Sequence, residues 1–401
     1  MRLPLNSRCG SLTLIAACIM FSRTILAQQL IVSDPQHRAR LPEVIEIPLK
    51  EMRSRTHLLD NFKAVDAVTH EELTTQIYSP PYSTSGGVLL IAIQLPSDRP
   101  LVIDFVPTDD MHIQQPQVFG REAPERKDDF AWENKLVTYR VYGPALEATG
   151  EITSGIDVWS KRVPNFVIDS FYEHDAEGTR THNPALSYHK DDGVGLDSYL
   201  VGPTRGCGGT AVLAGGKLWV SKNYTHLNIL SNGPVRFEFE MTYAPWNANG
   251  IEVTETKRIT LDAGTHLNKI ASTFTFTGAS TIEAAAGLAI HPGADPSTLE
   301  DGRLLSVWDM PQDPSADRIA TGIVDAPGQQ TYATQIDGQT LLVSPVHTGQ
   351  TFTYYAGSGW SKADMPTPQA WNAYLQEKLF ELNHPLQIQW KPVAKKNEKK
   401  P

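Results

Sequence analysis

Cysteine is nearly absent from these 401 residues: Cys9, Cys18 and Cys207 are the only three. A disulfide framework is therefore excluded as the source of stability, and a large buried core has to supply it. A basic excess is also missing. Lys plus Arg number 35 against 45 Asp plus Glu, a formal charge of -10, so the global field repels phosphate backbones and argues against a nucleic-acid partner. After the first 27 residues no stretch is long and apolar enough to cross a bilayer as a helix. Helical periodicity is rare and no internal repeat is evident, which sets aside solenoids and propellers.

What is present begins with a leader. Arg2 and Arg8 precede an apolar run at 12–21, too short for a span, and residues 1–27 read as a signal peptide cut after Ala27. A second reading is lipid anchoring through Cys18, after Ile15, Ala16 and Ala17. Either way the expected location is periplasmic or extracellular. Residues 28–106 read as an N-terminal β-rich segment, with strands at 44–49 and 88–95. The Pro- and Gln-rich stretch 107–129 reads as a linker or long loop, and 393–401 as a basic, disordered tail.

Between them, 130–392 reads as the main domain, dominated by period-two alternation. Val235, Phe237, Phe239, Met241 and Tyr243 share one face of a strand and Arg236, Glu238 and Glu240 the other. Further strands are expected at 217–230, 251–261, 266–276, 281–291 and 340–345, separated by turns such as Ala248-Asn249-Gly250. The clearest helix is at 368–381. The fold class is mostly β, an antiparallel β-sandwich with few helices.

Polar residues capable of chemistry concentrate at 187–199, where His189, Lys190, Asp191, Asp192, Asp197 and Tyr199 share a Gly-containing loop. His189 or Tyr199 is a candidate base, with the neighbouring charges tuning it. The competing reading is a solvated loop with Asx turns. Arg205, among glycines at 202–209, could grip a carboxylate in two-point fashion, or simply pair inside a tight connection. Trp159 beside Lys161 and Arg162 could stack a sugar and neutralise an acid, although Trp more often fills a core. Asn134, His226, Trp246 and His291 complete the candidates, each His being more often structural than catalytic. No zinc or EF-hand spacing occurs, so neither metal nor cofactor is expected.

The order of these motifs carries a resemblance. Glu133-Asn134, Tyr142-Gly143-Pro144-Ala145, Gly155-Ile156-Asp157-Val158-Trp159, Tyr188-His189-Lys190-Asp191, Gly193 to Tyr199, Arg205-Gly206-Cys207-Gly208-Gly209 and Tyr354 to Lys362 follow one another from about Asp128 to Trp390. This resembles a family of secreted bacterial proteins of unassigned function from polysaccharide-utilisation gene clusters. That family is similar in outline to the galactose-mutarotase-like supersandwich, whose concave face binds sugars. The resemblance implies a carbohydrate ligand and no particular reaction.

Three chemistries follow from the residues. The first expectation is a lyase acting by β-elimination on a uronic-acid-containing oligosaccharide or polysaccharide, with Arg205 and Lys161 neutralising the carboxylate. In it His189 or Tyr199 removes the ring proton and His226 protonates the leaving oxygen. The second is a glycoside hydrolase using paired Asp carboxylates, drawn from Asp157, Asp191, Asp192 and Asp197. The third is a mutarotase-like epimerase, or a non-catalytic protein that stacks sugars on Trp159 and Trp246. A lyase should show Arg or Lys beside a His or Tyr in one cleft, whereas a hydrolase should show opposed acids.

Overall fold

The computed structural model describes residues 28–391, apart from 59–60, 80, 82–85, 109–112 and 312. The leader, Cys18 and the basic tail lie outside the described residues. Within them the alternating sequence pattern becomes a nine-stranded antiparallel sheet. Its spatial order is Tyr224–Asn232, Arg236–Tyr243, Ile251–Asp262, Leu267–Thr277, Thr351–Trp360, Ile319–Asp325, Leu304–Asp309 and Asp295–Leu299, with Trp246–Ala248 beside Ile251–Asp262.

Two five-stranded sheets cover one face of this sheet. One runs Val118–Ala123, Asp129–Asn134, Thr138–Val141, Asp157–Lys161 and Gly195–Leu196. The other runs Lys217–Trp219, Cys207–Ala214, Ile282–Ala289, Gln339–Val346 and Tyr332–Ile336. A parallel bridge between Ile156 and Gly206 joins them edge to edge. The inward residues of all three sheets form one core, in which Phe130 and Trp132 meet Phe239 at ring distances of 4.6 and 4.8 Å. Pairing inward-facing alternate residues across two layers is what a sandwich requires. The expected fold class is the observed one.

The N-terminal β unit contains both expected strands, at Glu43–Pro48 and Val88–Ile93, and several more. Its sheets are Glu43–Pro48, Val88–Ile93 and Thr75–Tyr78, and Leu30–Ser33, Leu101–Pro107, Phe62–Asp66 and Glu72–Leu73. The second is completed by Gln387–Trp390 from the far end of the chain, paired antiparallel to Leu30–Ser33. Trp390 packs on Phe105 in the unit's own core. The stretch read as a linker contains the strand Val118–Ala123, an edge of the sandwich.

Two helices pack on the sandwich. Pro368–Asn383, capped by Thr367, lays Trp371 and Leu375 over Gly322 and Gly359, where any Cβ would sit within 3 Å of a neighbouring side chain. Ile168–Thr181 was not legible from periodicity. Its start is fixed by a distant carboxylate: Glu133 accepts the Val167 N–H at 2.8 Å and the Ile168 N–H at 3.0 Å. Lys161, fully buried, neutralises that carboxylate at 2.6 Å. An acid at a helix N-terminus satisfies otherwise orphaned donors.

Candidate functional site: a cleft where the two smaller sheets meet

A cleft of about 350 Å³ opens beside the junction of the two five-stranded sheets. Arg140 and Asp197 form its polar floor. Tyr142, His189 and Tyr199 line it, and the exposed Ile152 and Leu200 flank it.

Strand register builds the floor. Arg140 and Asp157 are direct cross-strand partners, so their side chains meet on one face. The guanidinium donates from Nε to Asp157 Oδ2 at 2.9 Å and from Nη2 to Asp197 Oδ2 at 2.9 Å, and Asp129 Oδ2 lies 3.6 Å from Nη1. Nη1 donates to the Tyr188 hydroxyl at 3.0 Å. Tyr142 donates its hydroxyl to Asp157 Oδ2 at 2.9 Å. The rings of Tyr142, Trp159 and Tyr188 lie 5.0 to 5.8 Å from the guanidinium carbon, positions that favour a cation. Asp197 reaches the floor because Gly195, two residues earlier, passes so close to Ser160 that a Cβ would lie 2.2 Å from its carbonyl oxygen.

Arg140 is shared by three buried carboxylates, with Arg126 on the Tyr188 hydroxyl as a further cation, and burial disfavours ionising all three. Burial, together with the negative charge of Asp157, pushes Asp197 well above the usual carboxylate range. Burial likewise pushes Asp129 up to about 7. Asp157 is spent on Arg140, Tyr142 and the Val158 N–H. Asp197 Oδ1, by contrast, has no hydrogen-bond partner among the described residues.

His189 stands over this acid at the open side, its side chain 54% exposed and Nδ1 3.6 Å from Asp197 Oδ2. Nδ1 lies 2.9 Å from the Asp197 carbonyl oxygen. A carbonyl only accepts, so Nδ1 carries the proton and Nε2 of the neutral ring is left with its lone pair. An acid with a free carboxyl oxygen and a base of fixed tautomer thus share one wall.

The other sequence candidates are distributed differently. Lys161 does not reach the cleft and is the buried partner of Glu133. Arg205 is 1% exposed, between the layers, where it donates to Ser154 Oγ at 2.9 Å and to the carbonyls of Thr210 and Pro203. Burial lowers it to about 10 without removing its charge at neutral pH. The expected shared site of His189, Lys161 and Arg205 is therefore not assembled. Tyr199 lines the cleft, but its hydroxyl is buried without a partner and burial pushes it well above its ordinary value, which disqualifies it as a base. Cys207 is buried on the Gly357 carbonyl, with its thiol pushed up by burial.

Trp159 is 1% exposed under the helix Ile168–Thr181, and stacks on Tyr188 rather than on a ligand. Trp246 packs partly buried against the main core, away from the cleft. Asn134 closes a turn, accepting the Leu136 and Val137 N–H groups and donating to the Asp262 and Thr265 carbonyls. His226 is exposed on Tyr224–Asn232, outside the cleft lining. Asp191 pairs with Arg162 and Lys362, Asp192 accepts the Val194 N–H in a turn, and Lys190 is exposed. His291 braces the cleft wall from behind through the Leu200 carbonyl. Sequence reasoning missed Arg140, whose signal was one cation in an otherwise uncharged strand, Thr138–Val141.

The family described as domain of unknown function (DUF4861) matches residues 93–388. "Uncharacterized protein P7" of Formosa agariphila is 30% identical over 401 residues, covering 93% of this chain and 97% of that protein. Among solved structures, an alpha-mannosidase from Enterococcus faecalis V583 is similar at a TM-score of 0.45 and 8% identity, covering 91% of this chain and 46% of that one. A glycosyl hydrolase family 38 protein from Enterococcus faecalis is similar at 0.47 and 8%, covering 92% and 48%. This chain spans about half the length of either structure.

Proposed function

The chain belongs to the family described as domain of unknown function (DUF4861), and on that premise we propose that it is a carbohydrate-active enzyme whose cleft hydrolyses a glycosidic bond with Asp197 as general acid and His189 as general base. The observation that carries this reading is the placement of Asp197, a carboxyl that burial and Asp157 push well above the usual carboxylate range, beside a His whose Nδ1 is engaged by a carbonyl so that Nε2 faces away from it. The motif order supplies the substrate class, through its resemblance to proteins of polysaccharide-utilisation clusters.

The steps balance. Asp197 gives its proton to the glycosidic oxygen as the bond to the anomeric carbon breaks. A water adds its oxygen to that carbon and passes a proton to His189 Nε2. Solvent then returns both groups to their starting states. Such acid–base assistance is worth about 10² to 10⁴ in rate. Ile152 and Leu200 offer exposed apolar surface to the C–H face of a ring.

Hydrolysis fits better than the β-elimination first expected. Elimination next to a uronate needs a cation to stabilise the carboxylate as the ring proton leaves. Lys161 and Arg205 are committed elsewhere, and Arg140 is already shared by carboxylates. A substrate uncharged at the reacting sugar therefore suits the cleft better than an acidic one.

The test is reducing-end release from a panel of neutral and acidic oligosaccharides. Wild type should release ends from a neutral member, and Asp197→Asn should lose at least about 10²-fold in kcat while still binding it. Undiminished turnover by Asp197→Asn would remove Asp197 from the reaction.

A further inference from the structure

Behind the cleft, His291 has both ring nitrogens in short contacts. Nδ1 lies 2.6 Å from Asp309 Oδ2, and Nε2 lies 2.7 Å from the Leu200 carbonyl oxygen. A carbonyl accepts only, and an ionised carboxylate accepts only. A neutral imidazole carries one N–H, so one of the two contacts would then set lone pair against lone pair. Only the imidazolium donates to both.

From this geometry we propose that His291 is a positioning residue. As a doubly donating cation it ties the Tyr199–Leu200 wall of the cleft to the strand Leu304–Asp309, and the wall is held only while the ring is charged. This rests on the reading of the cleft as the functional site. It replaces the expectation that His291 touches the ligand.

The surroundings suit that role. Asp309 is 1% exposed and fixed by the Met310 N–H on its other oxygen at 2.8 Å, so it cannot turn away. Tyr199 meets the imidazole edge-on at 5.4 Å. Two residues further on, the Gly293 carbonyl is held by Arg318 at 2.9 Å, which fixes the backbone leaving His291. The titratable groups facing the ring are thus Asp309 from its strand and Tyr199 from the wall. Burial by itself lowers the basicity of the ring, but the hydrogen bond to and charge of Asp309 outweigh it, and the net direction is upward. Leu200 is 47% exposed on the cleft side, so the tether acts on residues that a ligand meets.

The consequence is a wall that loosens in alkali. Backbone hydrogen exchange across residues 197–204, corrected for the intrinsic dependence on pH, measures it without any substrate. The result therefore stands apart from whether the cleft hydrolyses sugars. In wild type, protection should persist at neutral pH and fall with a midpoint above the ~6.5 of a free histidine. His291→Gln should lack that protection throughout, because both N–H groups of its amide sit on one nitrogen, which cannot reach two acceptors held at separate ring positions. Asp309→Asn should keep the wall at low pH and release it at a lower midpoint than wild type. Exchange in wild type that does not change between about pH 6 and about pH 9 would overturn the proposal. An unshifted midpoint in Asp309→Asn would do so as well, and that variant decides the matter if His291→Gln fails to fold.

Discussion

Asp129 shows what a single residue of the floor does to the whole protein. Burial raises its carboxyl to about 7, so the native state holds a proton that the unfolded chain releases near 4. Its contribution to stability is complete below the unfolded value and fades as pH climbs through the folded one. Asp129→Asn should therefore lose less melting temperature than wild type between about pH 5 and about pH 8, a difference worth up to ~3 kcal/mol. Parallel melting curves for both proteins would contradict the assignment. Lys161 gives the complementary case. As the buried counter-charge of Glu133, its removal in Lys161→Ala should cost ~3–5 kcal/mol in chemical denaturation. The folded fraction should keep its specific activity, since the ammonium does not touch the cleft. A loss of kcat in folded Lys161→Ala would return it to the chemistry.

At the level of elements, strands such as Ile251–Asp262 and Leu267–Thr277 were legible because they bury one face and alternate with period two, whereas Asp129–Asn134 and Ile319–Asp325 are buried on both faces and do not alternate. The strand expected at 234–243 is seen at Arg236–Tyr243, and the helix expected at 368–381 at Pro368–Asn383. The helix Ile168–Thr181 was not, because Glu133 and Lys161, which fix its start, come from strands distant in sequence. The loop holding His189, Asp197 and Tyr199 stood out by composition, yet composition does not tell which charges share a wall. Arg205 looked like an anion grip on its glycines, whereas Gly206 serves the bridge between the two smaller sheets. Gly206 has φ of 59°, and a Cβ there would lie 2.1 Å from the Ile156 carbonyl oxygen. Gly206→Ala should destabilise by at least ~1–3 kcal/mol and loosen the cleft, which lies along that junction. A variant with wild-type stability would show that the bridge contributes little.

For the molecule as a whole, the two ends of the described chain close on each other. Gln387–Trp390 completes the sheet that begins with Leu30–Ser33 and puts Trp390 into the N-terminal core. That pairing spans more than 350 residues and leaves no trace in local pattern. A chain stopped after residue 386 should lose protection first in Leu30–Ser33 and Leu101–Pro107, seen by hydrogen exchange, while the sandwich stays protected. Uniform loss across both would mean that the unit and the sandwich unfold as one.

The central claim is that the cleft adds water across a glycosidic bond. Turnover of a responsive oligosaccharide in water enriched in heavy oxygen, with the products weighed by mass spectrometry, tests it most directly. The account predicts one heavy oxygen at each newly formed reducing end, no unsaturated sugar, and neither label nor cleavage with Asp197→Asn. Products that are one water lighter and carry no label would mean elimination, and would contradict it.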